Sequence, residues 1–397
     1  MAQKLYEETN IQAIANAIRA KNGLTTTYKT SEMAGAIEAI QTGSSTPTEL
    51  VLGNAITFYD YDGTILYAFT RAEAQALTAL PDAPAHNGLV FSGWTHTLEQ
   101  VKATKTVLKV GATYTTDDGT TRIYIHLEDG RTSPCLTLKM GNSSDTATID
   151  WGDGTTVDTL TGRGTDSTGN YSLEHKNHIY SVAGDYVIKL TGGRITGDGE
   201  NSSDTYSYLL RNTEVNNAVD NRNRLYQRAI KKVEMGTNTS LSDYGFAICD
   251  NIDTIVLNNY NRSVHSYTFY DTHLNTIVLP NKTTTIDSYA FGKCYTLTNI
   301  IMSGVISIGE RAFYNCYALP NFVFPSTIRS IGNYAFYGCG GVKYYDFTAC
   351  TSVPTLGGSY AFNGIPADCE IRVPASLETK WKNATNWTVY AKYIVGV

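Results

Sequence analysis

Residues 308–316 read IGERAFYNC, and this stretch decides the fold because it returns at 286–294 (IDSYAFGKC) and at 331–339 (IGNYAFYGC). Its phenylalanine belongs to a longer series whose neighbouring members are 22 to 26 residues apart. The series consists of Phe246, Phe269, Phe291, Phe313, Phe336 and Phe362. A nearly constant period of this length predicts a solenoid, in which each repeat forms one coil and stacks on the next.

Other positions keep the same register. Apolar residues stand five before the phenylalanines, at Leu241, Val264, Ile286, Ile308 and Ile331, and six after them, at Ile252, Leu297, Leu319 and Val342. Cysteines follow by three residues, at Cys249, Cys294, Cys316 and Cys339. A catalytic nucleophile would occur once in one special environment, so these repeated cysteines are predicted to be reduced and inert packing residues.

The pattern IGxxAFxxCxxLxxIxLP resembles the BspA-like leucine-rich repeat. The resemblance implies that residues 229–397 form a leucine-rich repeat solenoid. In the last turn Gly357 and Ile365 replace the usual isoleucine and cysteine, as is expected of a capping turn. The closing run, with Trp381 and Trp387, looks like the helical end cap of such repeats in phage tail proteins.

One column of the repeats is a candidate receptor-binding site. Two residues before the phenylalanines stand Tyr244, Tyr267, Tyr289, Arg311, Tyr334 and Tyr360. Since the phenylalanine must point inward, its neighbours are expected to point partly outward. Aromatic faces that stack on sugar rings would make this column a glycan groove. The alternative is an aromatic ladder that only stiffens the sheet, and the sequence leaves both interpretations open.

Residues 1–43 are predicted to form a helical hairpin that serves assembly. Its apolar stripes are Ile11, Ile14, Ile18, Met33, Ile37 and Ile40. Helices this short cannot bury such stripes alone, so we expect them to pack on a partner or on further copies of the chain. The order IxxIAxAIRxKxG over 11–23 resembles a segment near the start of many phage tail and baseplate proteins, which implies tail attachment. An ordinary amphipathic hairpin is the alternative.

Two β-rich units are predicted between the hairpin and the repeats. Residues 50–104, with FYDYDGT at 58–64, resemble the β-grasp-like InlB B-repeat as used in phage tail proteins. Residues 105–195, with WGDGT at 151–155, resemble the PKD-type β-sandwich, in which Trp151 would supply core area. Residues 196–228 are polar and lack periodicity, which is typical of a linker. The predicted fold is therefore multidomain and mainly β.

Metal and cofactor sites are not expected. Asp60 and Asp62 are better explained by a hairpin turn than by a metal, since no third ligand is near. His175 and His178 lack the glutamate of a metalloprotease helix, and the PKD resemblance implies a structural role for His178. No CxxC pair suggests zinc. We expect no cofactor.

Composition narrows the function further. A net charge of -6 argues against a nucleic-acid partner. No apolar run is long enough to insert into a membrane, and the N-terminus lacks the apolar core of a signal peptide. No nucleophile elbow, phosphate-binding loop or zinc-protease motif is present, so we expect no enzyme. A pair of carboxylates that cleaves glycans is the exception that sequence does not reveal.

The order of the parts predicts a phage tail receptor-binding protein, present in the virion as a homo-oligomer. It would be made in the host cytoplasm, join tail or baseplate proteins through its N-terminus, and contact a glycan or protein at the bacterial surface. A bacterial surface adhesin built on the same repeats is the main alternative. A glycan-degrading tail enzyme and a purely architectural tail component are two others.

Overall fold

The computed structural model describes residues 56–104, 107–140, 144–162, 164, 172–195, 198–199, 206–207, 209–212 and 226–397. The helical hairpin predicted at 1–43 lies outside the described residues, as does most of the predicted linker. Residues 56–397 form one compact unit. In this described part, no helix has both the length and the apolar character needed to cross a bilayer.

A four-stranded sheet, here called the first sheet, opens the described chain. It has the order β2-β1-β4-β3. Its elements are β1 (Ile56–Tyr59), β2 (Ile65–Phe69), α1 (Arg71–Ala76), β3 (Leu89–Trp94), α2 (Leu98–Ala103) and β4 (Leu108–Thr116). Strands β1 and β4 run parallel, while β2 and β3 lie antiparallel to them. The sequence places strand β4 in the predicted unit of residues 105–195. Its pairing with β1 and β3 instead extends the first sheet to residue 116.

Sequence explains the local structure of the first sheet. Thr70 and Thr97 each begin a helix with a capping box, which satisfies the free amides of a first turn. The predicted hairpin turn at 60–63 is confirmed by the hydrogen bond from the Asp60 amide to the Thr64 carbonyl, 2.8 Å long. Phe58 is fully buried and makes an edge contact with Trp94 at 4.8 Å between ring centres. This contact belongs to a small apolar cluster that also includes Val256 from a later part of the chain.

The second unit is a sandwich of two sheets. Its strands are β5 (Thr121–Leu127), β6 (Pro134–Met140), β7 (Thr146–Asp150), β8 (Asp158–Thr161), β9 (Ser172–Asn177), β10 (Gly184–Thr191), β11 (Arg194–Ile195) and β14 (Leu210–Asn212), with a separate pair β12 (Asp198–Gly199) and β13 (Tyr206–Ser207). Trp151 is almost fully buried, which confirms its predicted place in the core. Part of the predicted linker is also structural, because β14 pairs with β6 and Leu210 is buried.

The repeats form a solenoid of stacked coils, as the period predicted. Its strands are β15 (Ile230–Glu234), β16 (Ser240–Leu241), β17 (Thr254–Val256), β18 (Ser263–Val264), β19 (Thr276–Val278), β20 (Thr285–Ile286), β21 (Asn299–Ile301), β22 (Ser307–Ile308), β23 (Asn321–Val323), β24 (Ser330–Ile331), β25 (Tyr344–Asp346), β26 (Thr355–Leu356), β27 (Glu370–Val373) and β28 (Ile394–Gly396). Strands of successive coils pair in parallel, as in the five-stranded sheet β18-β20-β22-β24-β26.

The phenylalanine series forms a continuous internal stack, which confirms the predicted inward direction. All six rings are fully buried, and neighbouring ring centres are 5.1 to 5.9 Å apart. The C-terminal end is closed by α3 (Glu378–Lys382) and two short 3-10 helices at 375–377 and 388–393. Trp381 and Trp387 are fully buried there, and Trp387 lies 5.6 Å from the last ring of the stack, Phe362.

The sandwich and the solenoid share one core. Strand β15 of the first coil pairs with β5 of the sandwich on one side and with β17 of the next coil on the other. In the second sheet β11 pairs with β16. A single apolar cluster therefore runs from Ile123 to Ile394. The sandwich covers the strand edges of the first coil, which would otherwise be open to pairing with another chain.

The first sheet packs on the flank of the solenoid. A Cβ atom at Gly111 would lie 2.6 Å from Val278 Cγ1 and 3.0 Å from Ile301 Cγ2. At the neighbouring turn, a Cβ atom at Gly63 would lie 2.5 Å from Thr276 Oγ1. A Cβ atom at either place would collide with side chains of the solenoid strands, so glycine is the residue that fits there without a shift of those side chains.

Candidate binding surface

The candidate column lies on a left-handed stretch of backbone. Five of its six members have positive φ, namely Tyr244 (59°), Tyr267 (58°), Tyr289 (57°), Arg311 (54°) and Tyr334 (56°). The amides of the first four donate to carbonyls of the next coil, as from Tyr289 to Glu310 at 3.0 Å. A side chain in this conformation costs about 1 to 2 kcal/mol, which glycine would avoid. The side chains at this position must therefore contribute interactions that offset the strain.

Those interactions are ring contacts along the solenoid axis. Tyr244 stacks on Tyr267 at 4.6 Å between ring centres, and Tyr267 stacks on Tyr289 at 4.7 Å. The Arg311 guanidinium continues the column, 5.5 Å from the ring centre of Tyr289 and 4.7 Å from that of Tyr334. Tyr334 then stacks on Tyr360 at 5.1 Å. The six residues thus form one uninterrupted stack, which we call the tyrosine ladder.

Stacking within the ladder limits which ring faces a sugar could bind. Tyr267, Tyr289 and Tyr334 each have a neighbour on both ring faces. Face-to-face stacking on a sugar, which the sequence suggested along the whole column, is therefore blocked at these three rings. Tyr360 is the last ring, and its side chain is 48% exposed.

A cavity of about 600 Å³ opens at this end of the ladder, between the last coil and the helical cap. Its walls carry the rings of Tyr360, Tyr390 and Tyr393 together with the ammonium of Lys392. Lys392 Nζ lies 4.6 Å above the ring of Tyr393. Tyr390 is held in place by its hydroxyl, which donates to the Ser359 carbonyl at 2.7 Å. We call this site the cap cavity.

Two shorter aromatic columns flank the ladder. Tyr314 stacks on Tyr337 at 5.4 Å, and Tyr295 stacks on Tyr317 at 5.4 Å. The Lys293 ammonium lies 5.2 Å above the ring of Tyr270. Tyr295 and Tyr317 are not among the receptor-binding residues predicted from sequence, although both stand four residues after a repeat phenylalanine.

The histidines considered as metal ligands have separate partners. His178 Nε2 lies 2.7 Å from Asp153 Oδ2, and its ring stacks on Trp151 at 4.6 Å. His175 lies instead 3.1 Å from Thr137 Oγ1. Asp60 bonds His86 at 2.9 Å. Across the described residues, no group of three or more histidine, cysteine or acidic side chains could hold a metal ion.

All seven cysteines are buried and free. Burial raises the pKa of the Cys316 thiol well above its usual range, and it raises the pKa of Cys339 to about 12. These two thiols therefore stay protonated at neutral pH, and the thiolate is the reactive form. The predicted assembly residues Ile11, Ile14, Ile18, Met33, Ile37 and Ile40 lie outside the described part of the chain.

Comparison with known proteins adds a family for the C-terminal part. Residues 221–343 and 300–385 match the BspA type leucine rich repeat region, in six copies. The solved structure of a leucine-rich repeat protein from Bacteroides ovatus also matches the chain, at 16% identity and a TM-score of 0.24. That match covers 42% of this chain and 65% of the Bacteroides protein, just under two thirds of its length. No curated protein matches the chain. The C-terminal solenoid thus matches the BspA type leucine rich repeat region.

Proposed function

We propose that the chain is a receptor-binding protein that holds a bacterial surface glycan in the cap cavity. The observation that carries this proposal is the exposed ring of Tyr360 at the end of the tyrosine ladder. Its one stacking partner, Tyr334, fixes the ring without covering its outer side. A rigid aromatic platform of this kind binds an apolar sugar face at low entropic cost.

The other walls of the cavity suit a carbohydrate. Tyr393 offers a second ring, and Lys392 and Asn363 offer donors to sugar hydroxyls. Its volume, about 600 Å³, lies within the range of ligand pockets. The described residues that line it include no aspartate or glutamate, and cleavage of a glycosidic bond ordinarily needs two carboxylates. The proposal is therefore binding without cleavage, in preference to a glycan-degrading enzyme.

For the biological setting we propose a phage tail. The order of the parts supports it: a helical segment resembling tail attachment segments, then InlB B-repeat-like and PKD-like β units, then an extended repeat surface. Attachment through the N-terminus would present several copies on one virion, and multivalency would strengthen weak single contacts.

A bacterial surface adhesin is the second candidate, and the BspA-type repeat region favours it equally. The two settings predict different neighbouring genes. Tape-measure and baseplate genes upstream with lysis genes downstream belong to a phage, whereas export or wall-anchoring genes belong to an adhesin. Both settings use the same binding surface, so the test of the cap cavity holds for either.

We predict that Tyr360→Ala weakens binding of the full chain to host cells about tenfold, because an interface aromatic contributes 1 kcal/mol or more. Binding is measured with labelled protein on cells and on their purified surface polysaccharide. Tyr317→Ala is the matched control, since Tyr317 is 50% exposed and also stacks on one neighbour, but lies outside the cap cavity.

Melting temperatures of both variants are expected to stay close to that of the parent chain, because each ring has a single stacking partner. Equal binding by Tyr360→Ala and the parent would remove the cap cavity from consideration. The full chain must be used, because a fragment beginning at residue 196 lacks β5 and β11, with which the strands of the first coil pair.

A further inference from the structure

A second cavity lies where the first sheet meets the solenoid. It is a groove of about 330 Å³. One wall comes from α2 and the start of β4, including Gln100 and Lys109. The opposite wall comes from three successive coils, through Met302, Phe324 and Thr348 among others. The groove therefore exists only where the two units are packed together, and it is separate from the cap cavity.

Among the described residues that line this groove, Lys109 is the one with a cationic side chain at neutral pH. Its ammonium donates a hydrogen bond to Asn299 Oδ1 at 2.7 Å. Burial lowers the pKa of Lys109 to about 8, so the side chain remains mostly protonated at pH 7. The other titratable group among the described lining residues is His96, and burial lowers its pKa to about 4, which leaves it neutral.

No ion pair of Lys109 occurs within the described part of the chain, and its lowered pKa has burial as its cause. Lys109 is half-buried, and an ammonium held partly out of water normally has a carboxylate partner, because desolvation without one is costly. Asn299 supplies a neutral acceptor, which leaves the charge uncompensated and two N–H donors available. Within the described residues, the Lys109 ammonium therefore lacks a negatively charged hydrogen-bond acceptor.

We propose that this groove binds a sugar-sized carboxylate, of the hexuronate class, with its carboxylate on Lys109. The apolar side chains of Ile300, Met302 and Phe324 offer a surface for one face of a sugar ring. The hydroxyls of Ser303, Ser326 and Thr348 offer partners for ring hydroxyls. The volume lies at the lower end of the range for ligand pockets, which matches a single acidic sugar unit. This inference does not depend on the proposed role of the cap cavity.

The test is isothermal titration of the full chain with glucuronate, glucose and acetate at pH 7. Glucose keeps the ring and lacks the carboxylate, while acetate keeps the carboxylate and lacks the ring. A charge-assisted hydrogen bond predicts that glucuronate binds at least about tenfold more tightly than either. Lys109→Met is expected to remove the preference of glucuronate over glucose.

Lys102→Met is the matched control. Lys102 lies in α2, donates to the Leu77 carbonyl at 3.0 Å and does not line the groove, so this variant should bind as the parent does. A further test uses the pH dependence of binding by the parent chain and needs no mutation. As pH rises from 7 to 10, Lys109 loses its proton and the preference for glucuronate should disappear, whereas exposed lysines are still largely charged.

Three results would overturn the inference. They are equal binding of glucuronate and glucose by the parent, an unchanged preference in folded Lys109→Met, or acetate binding as tightly as glucuronate. Melting temperature is recorded for each variant. If Lys109→Met does not fold, the proposal is tested by the pH dependence of the parent chain and by Lys109→Arg. Arginine keeps its charge at pH 10, so Lys109→Arg should retain part of the preference for glucuronate at pH 10 as well as at pH 7.

Discussion

At the scale of single residues, the cysteines show why one residue type recurs in the repeats. Three of the repeat thiols donate to a phenylalanine carbonyl of the preceding coil: Cys294 to Phe269, Cys316 to Phe291 and Cys339 to Phe313, all at 3.0 Å. One coil has Thr272 at the equivalent place, and its hydroxyl donates to the Phe269 carbonyl of its own coil at 2.9 Å. The position therefore requires a small side chain with a donor.

We predict that Cys316→Ala lowers the free energy of unfolding by about 1 to 2 kcal/mol, through a lost hydrogen bond and a small cavity. Cys316→Thr should cost less, because threonine provides the donor that Thr272 already provides. Chemical denaturation of the two variants and the parent measures the difference. A larger loss for threonine than for alanine would show that volume, and not the donor, decides this position.

Sequence predicted the buried phenylalanines and cysteines because burial leaves a period in apolar residues. It did not predict the left-handed backbone of the tyrosine ladder. That conformation is usually marked by glycine or asparagine, whereas Tyr289 and Arg311 occupy it here. Ring stacking between neighbouring coils offsets the strain, and a contact 22 residues away leaves no local signal.

At the scale of elements, strand β4 links the first sheet to the solenoid. Residues 108–116 alternate with the pattern of any half-buried strand, so sequence did not show which unit they join. Their backbone packs on β19 and β21 at Gly111, where no side chain fits. The boundary at residue 104, which the resemblance to the InlB B-repeat implies, falls ahead of this strand for that reason.

We predict that Gly111→Ala destabilises the packing by about 1 to 3 kcal/mol, because Val278 and Ile301 are β-branched and cannot move aside easily. Gly340→Ala is the control, since a Cβ atom there meets nothing within 4 Å. Limited proteolysis should release the first sheet earlier in Gly111→Ala, with the solenoid left intact. Identical digestion of the two variants would contradict a close contact at Gly111.

At the scale of the whole molecule, the sandwich is the N-terminal cap of the solenoid. The sequence predicts that the sandwich ends at residue 195 and that the solenoid begins at residue 229, because a polar stretch lies between them. The pairing of β15 with β5 joins residues about 110 positions apart, as between Tyr124 and Lys232, and such long-range pairing is invisible in a local pattern.

We predict that a fragment of residues 229–397 aggregates or unfolds, while residues 56–397 remain folded and soluble. Removal of the sandwich exposes the edge of β15 and the apolar side chains of Ile230 and Val233, which are buried in the intact protein. Size-exclusion chromatography and circular dichroism compare the two. A stable, soluble fragment would mean that the first coil needs no cap.

The continuous phenylalanine stack also has a consequence for the evolution of length. Every interior coil meets its neighbours through the same parallel pairing and the same ring contact, so a duplicated repeat of 22 or 23 residues could be inserted without a new kind of contact. Each duplication would move the cap outward by about 4.8 Å, the spacing of paired strands. The reach of the molecule is thus adjustable in fixed increments, with both ends unchanged.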